Sequence, residues 1–354
     1  MRVLLVESKL TMNSEFSLNT LQHYELNHIT GVEFLGNAGG FSGAAFWRCR
    51  TPRGDYCLRR WPTGTPTPWR LRFIHAVLDH ASRHGISYVP NPIITRSGQS
   101  FVDDGQRLWE LTPWLPGAAD FLQRPSSLRL QKALAALARF HIAVASHQSI
   151  SAESPGIRER LVLLTEYRSA TVSRIESAMR RGSRPAWEQR AERILDYFRR
   201  RATPVAAQLQ ALVGRPVRLQ PCIRDVWSAH ILFSEDEVTG IVDFGALRTE
   251  TVAGDVARLL GSLAGNEDEA WHVGLDSYQA IRPLDQTERE LVDALDASTV
   301  LLAGLNWLKW IYIDGREFED WKGVRNRLDT IIGRFDNPTD DGPFVLNPAP
   351  QPGG

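Results

Sequence analysis

Residues 221–244 constrain the chain more than any other part of the sequence. Apolar, β-branched runs on both sides of the four-residue turn 234–237 predict a tight β-hairpin. Asp225 and His230 precede the first strand of this hairpin, and Asp243 follows the second strand. Polar and acidic groups gathered at the mouth of an apolar hairpin indicate a site for a metal ion and phosphate.

The simplest register of this hairpin pairs Phe233 with Val238, and it therefore pairs His230 with Ile241. Because side chains alternate along a strand, Asp243 lies on the same face as Ile241 and is the diagonal neighbour of His230, roughly 7–8 Å away. A single divalent ion would bridge that distance.

The spacing Asp-x-x-x-x-His, followed by a hairpin and Asp-Phe-Gly, resembles the catalytic loop and metal-binding segment of protein-kinase-like enzymes. Within that superfamily the chain is most similar to the aminoglycoside phosphotransferase and choline kinase group. The resemblance implies an α+β, bilobal protein-kinase-like fold with a small antiparallel β N-lobe and a larger, mainly helical C-lobe. We expect a nucleotide-binding lobe over residues 1–113, a helical lobe with the catalytic hairpin and substrate site over 114–336, and a disordered tail over 337–354.

The composition of the chain excludes several classes of function. Its 354 residues are 43% hydrophobic and its formal net charge is zero, which argues against a dedicated nucleic-acid binder. The first six residues are too short for a signal peptide, and we found no run of about 18 apolar residues that would span a bilayer. The three cysteines lie in apolar runs, which is typical of buried thiols in a reducing compartment. We therefore expect a cytoplasmic protein without a membrane partner, of open oligomeric state.

A glycine-rich turn at residues 36–43 lies between two strand-like runs. Glycine clusters in hairpins are usually simple turns, so its assignment depends on the other motifs. The order strand, glycine loop, strand is that of a kinase nucleotide roof and differs from the strand-loop-helix order of a Walker loop. The resemblance implies that this turn covers the phosphates of ATP through Gly36, Gly39, Gly40 and Ser42.

Arg59 occupies the position at which the resembling family has a lysine that holds the nucleotide phosphates. Arginine keeps the positive charge and adds a planar fork that suits phosphate, but it is longer than lysine. The alternative is a solvated surface pair formed by Arg59 and Arg60. In the family a helix glutamate often pairs with this basic residue, yet the helix predicted at residues 69–84 has no acid before Asp79.

The segment 112–117 resembles the interlobe hinge of this family, in which an aromatic-Leu-Pro-Gly sequence follows the adenine-contacting strand. Pro113 has no N–H group. The resemblance therefore implies that adenine is bound through carbonyl groups and through the amides of Thr112 or Trp114.

The resemblance also assigns the catalytic groups. Asp225 would accept or orient the proton of an acceptor hydroxyl, with Arg224 beside it in the catalytic loop, and Asp243 would hold Mg²⁺. His230 stands where the family has a metal-binding Asn. Imidazole is a poor ligand for Mg²⁺ and suits Mn²⁺ better, so His230 either binds the metal, bonds to phosphate or leaves Asp243 as the one metal ligand. The alternative for Asp225 is a loop-capping acid.

These features predict an ATP-dependent phosphotransferase acting on a hydroxyl or amine of a small molecule. Residues 265–320 carry thirteen acids and four basic residues, a net charge of −9, which favours a cationic acceptor if it is more than a solvated face. The alternative is a pseudokinase that binds nucleotide or partners without catalysis. Asp225 and Asp243 favour the enzyme, whereas His230, Arg59 and the missing helix glutamate favour the pseudokinase.

Overall fold

The computed structural model describes residues 19–26, 28–36, 43–182, 185–318 and 320–335. The chain divides into two compact units. Unit 1 comprises Met1–Ser151, Arg218–Ala264 and Glu269–Pro283, and unit 2 comprises Ala152–Val217, Gly265–Asp268 and Leu284–Gly354. Unit 1 therefore contains both the N-terminal sheet and the hairpin that carries the predicted catalytic groups. The predicted tail 337–354 lies outside the described residues, and the predicted lobe boundaries stay predictions.

The N-terminal part of unit 1 is a five-stranded antiparallel sheet with the strand order β1-β2-β3-β5-β4. Its strands are β1 (Gly31–Gly36), β2 (Ala45–Thr51), β3 (Gly54–Arg60), β4 (Val102–Asp103) and β5 (Leu108–Pro113). Trp47, Leu58, Trp109 and Leu111 form the buried core of this sheet. Burial of these large side chains provides the main stabilisation of the sheet.

Helix α1 (Pro68–Arg83) connects β3 with β4 and packs through a second apolar cluster. The helix begins after Thr67, whose side chain accepts a hydrogen bond from the amide of Arg70, with proline at the first helical position. Leu71 from α1 packs there with Trp61, Phe101 and Leu108. Trp61 directly follows β3, so this cluster holds the C-terminal end of β3 against α1. Arg59 lies at this end of the strand.

The catalytic segment of unit 1 consists of short strands and a 3₁₀ turn between helices. In chain order these are α2 (Ser127–Ala145), β6 (Ile150–Ala152), β7 (Val217–Cys222), the turn Ser228–His230, β8 (Ile231–Ser234), β9 (Glu237–Ile241), β10 (Arg248–Glu250), α6 (Ala253–Leu263) and α7 (Asp268–Gln279), where α3, α4 and α5 belong to unit 2. Strands β8 and β9 form the predicted hairpin, and β10, β7 and β6 form a separate sheet.

The register of the hairpin differs from the simplest one at its inner end. Phe233 pairs with Val238 as predicted, but Ile241 pairs with Ile231 and not with His230. A β-bulge shifts the register by one residue. His230 is thereby moved out of the strand and into the preceding 3₁₀ turn.

The extra residue of the bulge is Thr239 in β9. Its hydroxyl donates a hydrogen bond to the carbonyl oxygen of Pro116 at 2.7 Å. Gly117 has a φ of +96°, and a Cβ at that position would lie 2.4 Å from the Thr239 hydroxyl oxygen. The bulge therefore depends on a close approach between the hinge segment and β9, which the local pattern of apolar residues does not reveal.

Unit 2 is helical. Its helices are α3 (Pro155–Glu166), α4 (Val172–Arg181), α5 (Pro185–Gln210), α8 (Gln286–Tyr312) and α9 (Trp321–Ile332), with a π-helical turn Tyr167–Thr171 between α3 and α4. Helices α5 and α8 approach closely at Gly304, where a Cβ would lie 2.8 Å from Cγ2 of Ile194. Side chains larger than glycine at this point would push the two helices apart.

Helix α8 is long and apolar enough to cross a membrane by length and composition, with a mean hydropathy of 1.3 over 18 residues, which we did not expect from the sequence. However, 67% of this window is buried inside the protein. The helix begins with a capping box in which Asp285 and Glu288 each bond to the other's backbone amide. A helix that is apolar on most sides and mostly buried is typical of a protein core.

Candidate active site

Asp243 lies two residues after β9 and has a left-handed backbone, with a φ of +59°. Its Oδ1 accepts hydrogen bonds from Nη1 of Arg59 at 3.1 Å and from the amide of Gly245 at 3.3 Å. Burial raises the pKa of Asp243, but the charge of Arg59 and the hydrogen bonds from Gly245 and Arg59 outweigh burial and lower the pKa below its usual value. Asp243 is thus an ionised carboxylate with 37% of its side chain exposed, which suits a hard cation such as Mg²⁺.

Strand β3 places Arg59 next to Asp243. Only 9% of the Arg59 side chain is exposed, so it is not the solvated surface arginine of the alternative interpretation. The guanidinium carbon lies 3.5 Å from the ring centroid of Trp61 and 5.1 Å from that of Phe46, which fixes its plane. The Nε atom of Arg59 is buried and has no hydrogen-bond partner among the described residues. A buried donor of this kind is costly unless a ligand supplies an acceptor.

Asp225 lies in the loop between β7 and the 3₁₀ turn. Its Oδ1 accepts a hydrogen bond from Nη2 of Arg258 on α6, and 41% of its side chain is exposed. Arg224, which precedes it, has a left-handed backbone with a φ of +66°. The turn at Arg224 aims Asp225 out of the buried strand β7, so its carboxylate is accessible to a small molecule.

Asp255, at the start of α6, braces this loop. Its side chain is 1% exposed, and its two oxygens accept hydrogen bonds of 2.6 Å from the amides of Ile223 and Arg224. His141 on α2 contacts the same carboxylate through Nε2 at 3.1 Å, and its Nδ1 lies 2.7 Å from the hydroxyl of Tyr278. His141 is therefore a satisfied core histidine.

His141, Cys222 and Asp255 also lie close enough together to hold a metal ion, with their ligand atoms within 4.8 Å of one another. The chemistry of the donors argues against this use. Burial, followed by the charges of Asp255 and Glu250, raises the pKa of the Cys222 thiol well above its usual value. Metal binding needs the thiolate, and the oxygens of Asp255 are already bonded to backbone amides. The cluster is a structural network.

Both ring nitrogens of His230 make hydrogen bonds. Nδ1 lies 2.6 Å from the carbonyl oxygen of Asp225 and must donate to it, and Nε2 accepts a bond from the indole N–H of Trp227 at 3.0 Å. Burial lowers the pKa of His230 although Asp243 and Asp225 oppose this effect. Nε2 lies 4.0 Å from Oδ2 of Asp243. His230 is near the predicted metal site, but its Nε2 would bind a metal only after releasing Trp227.

The predicted phosphate-covering turn is described in part. Gly36 ends β1 with a φ of +69°, and a Cβ there would meet no atom of the described residues within 4 Å. Gly39, Gly40 and Ser42 lie outside the described residues. The contact of this turn with ATP stays a prediction.

The predicted hinge residues lie at the end of β5 and directly after it. Thr112 pairs with Cys57 in the register of β3 and β5. The amide of Trp114 donates a hydrogen bond to the carbonyl oxygen of Asp55 at 2.9 Å, and the guanidinium of Arg48 lies 4.5 Å from the Trp114 ring centroid. Adenine binding through the Trp114 amide would require this bond to break. The roles of both hinge residues remain predictions.

Two groups near Arg59 were missed by the sequence reasoning. Glu110 on β5 lies opposite Arg59 in the sheet register, with its Oε1 at 3.9 Å from Nη1. His75 on α1 lies 2.6 Å from the other oxygen of Glu110. The acid that α1 lacks therefore comes from the sheet. Strand pairing is a tertiary property, so no signal in the sequence could have identified it.

Comparison with known families identifies a match between residues 33–291 and the model of the "Phosphotransferase enzyme family". A homoserine kinase of Xanthobacter autotrophicus is 24% identical over 289 residues, which cover 79% of this chain and 81% of the relative. A homoserine kinase of Acidiphilium cryptum is 24% identical over 78% of this chain and 79% of its own length. The resemblance to small-molecule phosphotransferases is thereby confirmed.

Solved structures show the same fold. An aminoglycoside phosphotransferase from Alicyclobacillus acidocaldarius matches with a TM-score of 0.65 at 18% identity, over 93% of this chain and 94% of that chain. A microcompartment-associated aminopropanol kinase matches with a TM-score of 0.61 at 16% identity, over 91% and 95% of the two chains. The predicted α+β, protein-kinase-like fold is confirmed.

Proposed function

Because the chain belongs to the phosphotransferase enzyme family, we propose that it is an ATP-dependent kinase that phosphorylates a hydroxyl group of a small molecule. The observation that carries this proposal is the pair of exposed carboxylates, Asp225 and Asp243, each held by an arginine side chain. The names of the relatives describe kinases, which supports catalysis over the pseudokinase alternative. An ATP-consuming reaction also fits the cytoplasmic location that the sequence predicts.

Asp243 is the residue that would hold Mg²⁺, because it is ionised and partly exposed. Bound Mg²⁺ and ATP would supply the phosphoryl group and neutralise its charge. Mn²⁺ also fits the site if His230 releases Trp227 and offers Nε2. A related solved structure, an amicoumacin kinase, is described as a complex with AMP-PNP and Ca²⁺.

Arg59 would change partners when nucleotide binds. In this structure Nη1 of Arg59 bonds to Oδ1 of Asp243. A metal ion that takes this oxygen would release the guanidinium, and its Nε is already an unpaired donor. Arginine binds phosphate through several parallel N–H groups, so Arg59 would then bind the nucleotide phosphates in place of the family lysine.

Asp225 would accept or orient the proton of the acceptor hydroxyl. Phosphoryl transfer needs a well-positioned nucleophile more than a strong base. Arg258 restrains the Asp225 carboxylate through one oxygen, Oδ1. The acceptor hydroxyl would approach the other oxygen. The left-handed turn at Arg224 keeps this carboxylate at the surface of the loop.

We further propose that the acceptor is a small amino alcohol with a positive charge. Two of the matching kinases are named for homoserine and for aminopropanol, and both compounds carry an amine and a hydroxyl group. Residues 265–320 have a formal charge of −9, from four basic residues and thirteen acids, which would favour a cation over an anion.

The test is ATP consumption by the purified protein with a panel of amino alcohols, amino acids, sugars and aminoglycosides. We expect at least one hydroxyl-bearing amine to raise ATP turnover above the rate with water, and Asp225→Asn to lower that rate by about 10²–10³-fold. Asp236→Asn, in the exposed turn of the same hairpin, is the matched control and keeps the wild-type rate. No stimulation by any acceptor, with ATP and either Mg²⁺ or Mn²⁺, would contradict the proposal.

A further inference from the structure

Glu110 is a buried carboxylate that lies between two basic side chains from different elements. Its Oε2 is 2.6 Å from Nε2 of His75 on α1, and its Oε1 is 3.9 Å from Nη1 of Arg59 on β3. All three residues are buried. A carboxylate in such an environment is costly without partners, so these contacts hold Glu110 in one orientation.

His75 is itself held from its other side. Its Nδ1 lies 2.8 Å from the hydroxyl oxygen of Ser100, a residue in the segment that precedes β4. The buried chain of contacts therefore runs from Ser100 through His75 and Glu110 to Arg59. It connects helix α1 with two strands of the sheet, and each member limits the motion of the next.

The distance from Glu110 to Arg59 is informative. At 3.9 Å it is an ion pair but is longer than a hydrogen bond, so Glu110 attracts the guanidinium without using its N–H donors. Trp61 restrains the plane of the same guanidinium. Asp243 receives one N–H group of Arg59, and the buried Nε has no partner among the described residues.

Helix α1 provides no acid for this purpose. Its one acidic residue, Asp79, is 41% exposed and forms an i,i+4 ion pair with Arg83 at 2.6 Å. The counter-charge of Arg59 is therefore supplied by β5, and α1 contributes through a histidine that fixes the acid. In the resembling family the helix carries the acid, whereas here β5 carries the acid and α1 carries the histidine that supports it.

We infer that Glu110, oriented by His75, is a positioning residue that keeps Arg59 aimed at the nucleotide phosphates. The inference rests on the proposed function, because it assumes that Arg59 binds ATP. It gives Glu110 and His75 a role in nucleotide affinity in addition to their place in the buried core.

The test compares Glu110→Gln with the wild type in ADP titration calorimetry and in steady-state kinetics. We expect the Kd for ADP and the KM for ATP to rise about tenfold, because Arg59 loses one of its two acidic neighbours. The KM for the acceptor should stay unchanged. Asp79→Asn removes an exposed acid from α1, the helix that carries His75. It is the control, and we expect it to bind ADP with wild-type affinity. A Glu110→Gln protein that binds ADP as tightly as the wild type would overturn the inference.

A rescue variant separates positioning from general damage to the core. In the double variant His75→Glu with Glu110→Gln the carboxylate is moved from β5 to α1, and we expect at least half of the lost ADP affinity to return. Equal weakening in the single and double variants would contradict a positioning role. If Glu110→Gln does not fold, Ser100→Ala frees His75 more gently, and an unchanged ADP affinity in that variant would also overturn the inference.

The outcomes distinguish this inference from the proposed function. A wild-type protein that binds no nucleotide contradicts the proposed function, whatever the variants do. A wild-type protein that binds ADP, together with a Glu110→Gln variant of equal affinity, leaves the proposed function in place and removes the role of Glu110.

Discussion

Asp255 and Asp243 are two carboxylates of the same unit that the structure uses in opposite ways. Asp255 is 1% exposed, and both of its oxygens accept 2.6 Å bonds from backbone amides. Asp243 is 37% exposed and is held by the side chain of Arg59 and by one longer bond of 3.3 Å from Gly245. Asp255 is bonded to backbone amides, which are fixed by the fold, whereas Asp243 is bonded mainly to a side chain, which can change its rotamer.

This difference shows which acid can take part in chemistry. Asp255 accepts hydrogen bonds from two backbone amides of the loop before Asp225, so binding a metal would break the bonds that hold this loop. In the proposed function Arg59 exchanges Asp243 for phosphate, because a guanidinium has several N–H donors. Acids held by the backbone define the architecture, whereas an acid held by an exchangeable side chain marks the site.

The largest effect is expected for Asp255→Ala. The substitution removes the carboxylate that accepts the hydrogen bonds from the amides of Ile223 and Arg224, and we expect it to lower the free energy of unfolding by about 4–5 kcal/mol. Urea denaturation measures this change. Asp276→Ala, on the exposed face of α7, is the control and should stay within about 0.5 kcal/mol of wild type. Equal stability of the two variants would show that Asp255 does not brace the loop.

Asp243→Ala should lower the reaction rate strongly and the stability only slightly. We expect kcat/KM for phosphoryl transfer to fall about 10³-fold, because the metal ligand is lost, while the free energy of unfolding changes by less than about 1 kcal/mol. Steady-state kinetics and urea denaturation on the same preparation provide both numbers. A variant that retains more than a tenth of the wild-type rate would remove Asp243 from the site.

A third carboxylate, Asp293 of α8 in unit 2, has neither kind of partner among the described residues. Burial, followed by the charges of Asp296 and Glu290, raises the pKa of Asp293 to about 7. A folded-state pKa above the unfolded value means that ionisation opposes folding, so the stability of the protein falls as the pH rises from about 4 to about 7. Asp293→Asn should abolish this part of the decline.

Thermal unfolding between pH 4 and pH 8 measures the effect of Asp293. We expect Asp293→Asn to be more stable than wild type at pH 8 by about 2 kcal/mol. The difference should become small near pH 4, where Asp293 is protonated in the folded state and about half protonated in the unfolded state. Parallel curves for the two proteins would show that Asp293 is ionised in the folded state at neutral pH.

The sequence predicted the features that depend on local patterns. The hairpin and the order of the motifs follow from apolar runs and the spacing of acids, and the α+β kinase-like fold is confirmed by the matching structures. The inner register of the hairpin was wrong because the bulge at Thr239 depends on a bond to Pro116. That contact lies far away in the sequence.

The partners of the site residues were also beyond the reach of the sequence. Arg59 was identified by position, but its counter-charge on Glu110 depends on the pairing of β3 with β5. Trp227 lies three residues before His230, and only the 3₁₀ turn between them brings the indole N–H to the imidazole. Local spacing indicates which residues belong to a site, and tertiary pairing determines what each of them can bind.

The most direct test of the central claim is the effect of nucleotide on thermal stability. Ligands that bind only the folded protein raise its melting temperature. ATP with Mg²⁺ should raise the Tm of the wild type and of Asp236→Ala by several degrees, and ATP alone should raise it less. The shift should be lost in Asp243→Ala. Absence of a shift with any nucleotide and metal, or an undiminished shift in Asp243→Ala, would contradict the assignment of this site.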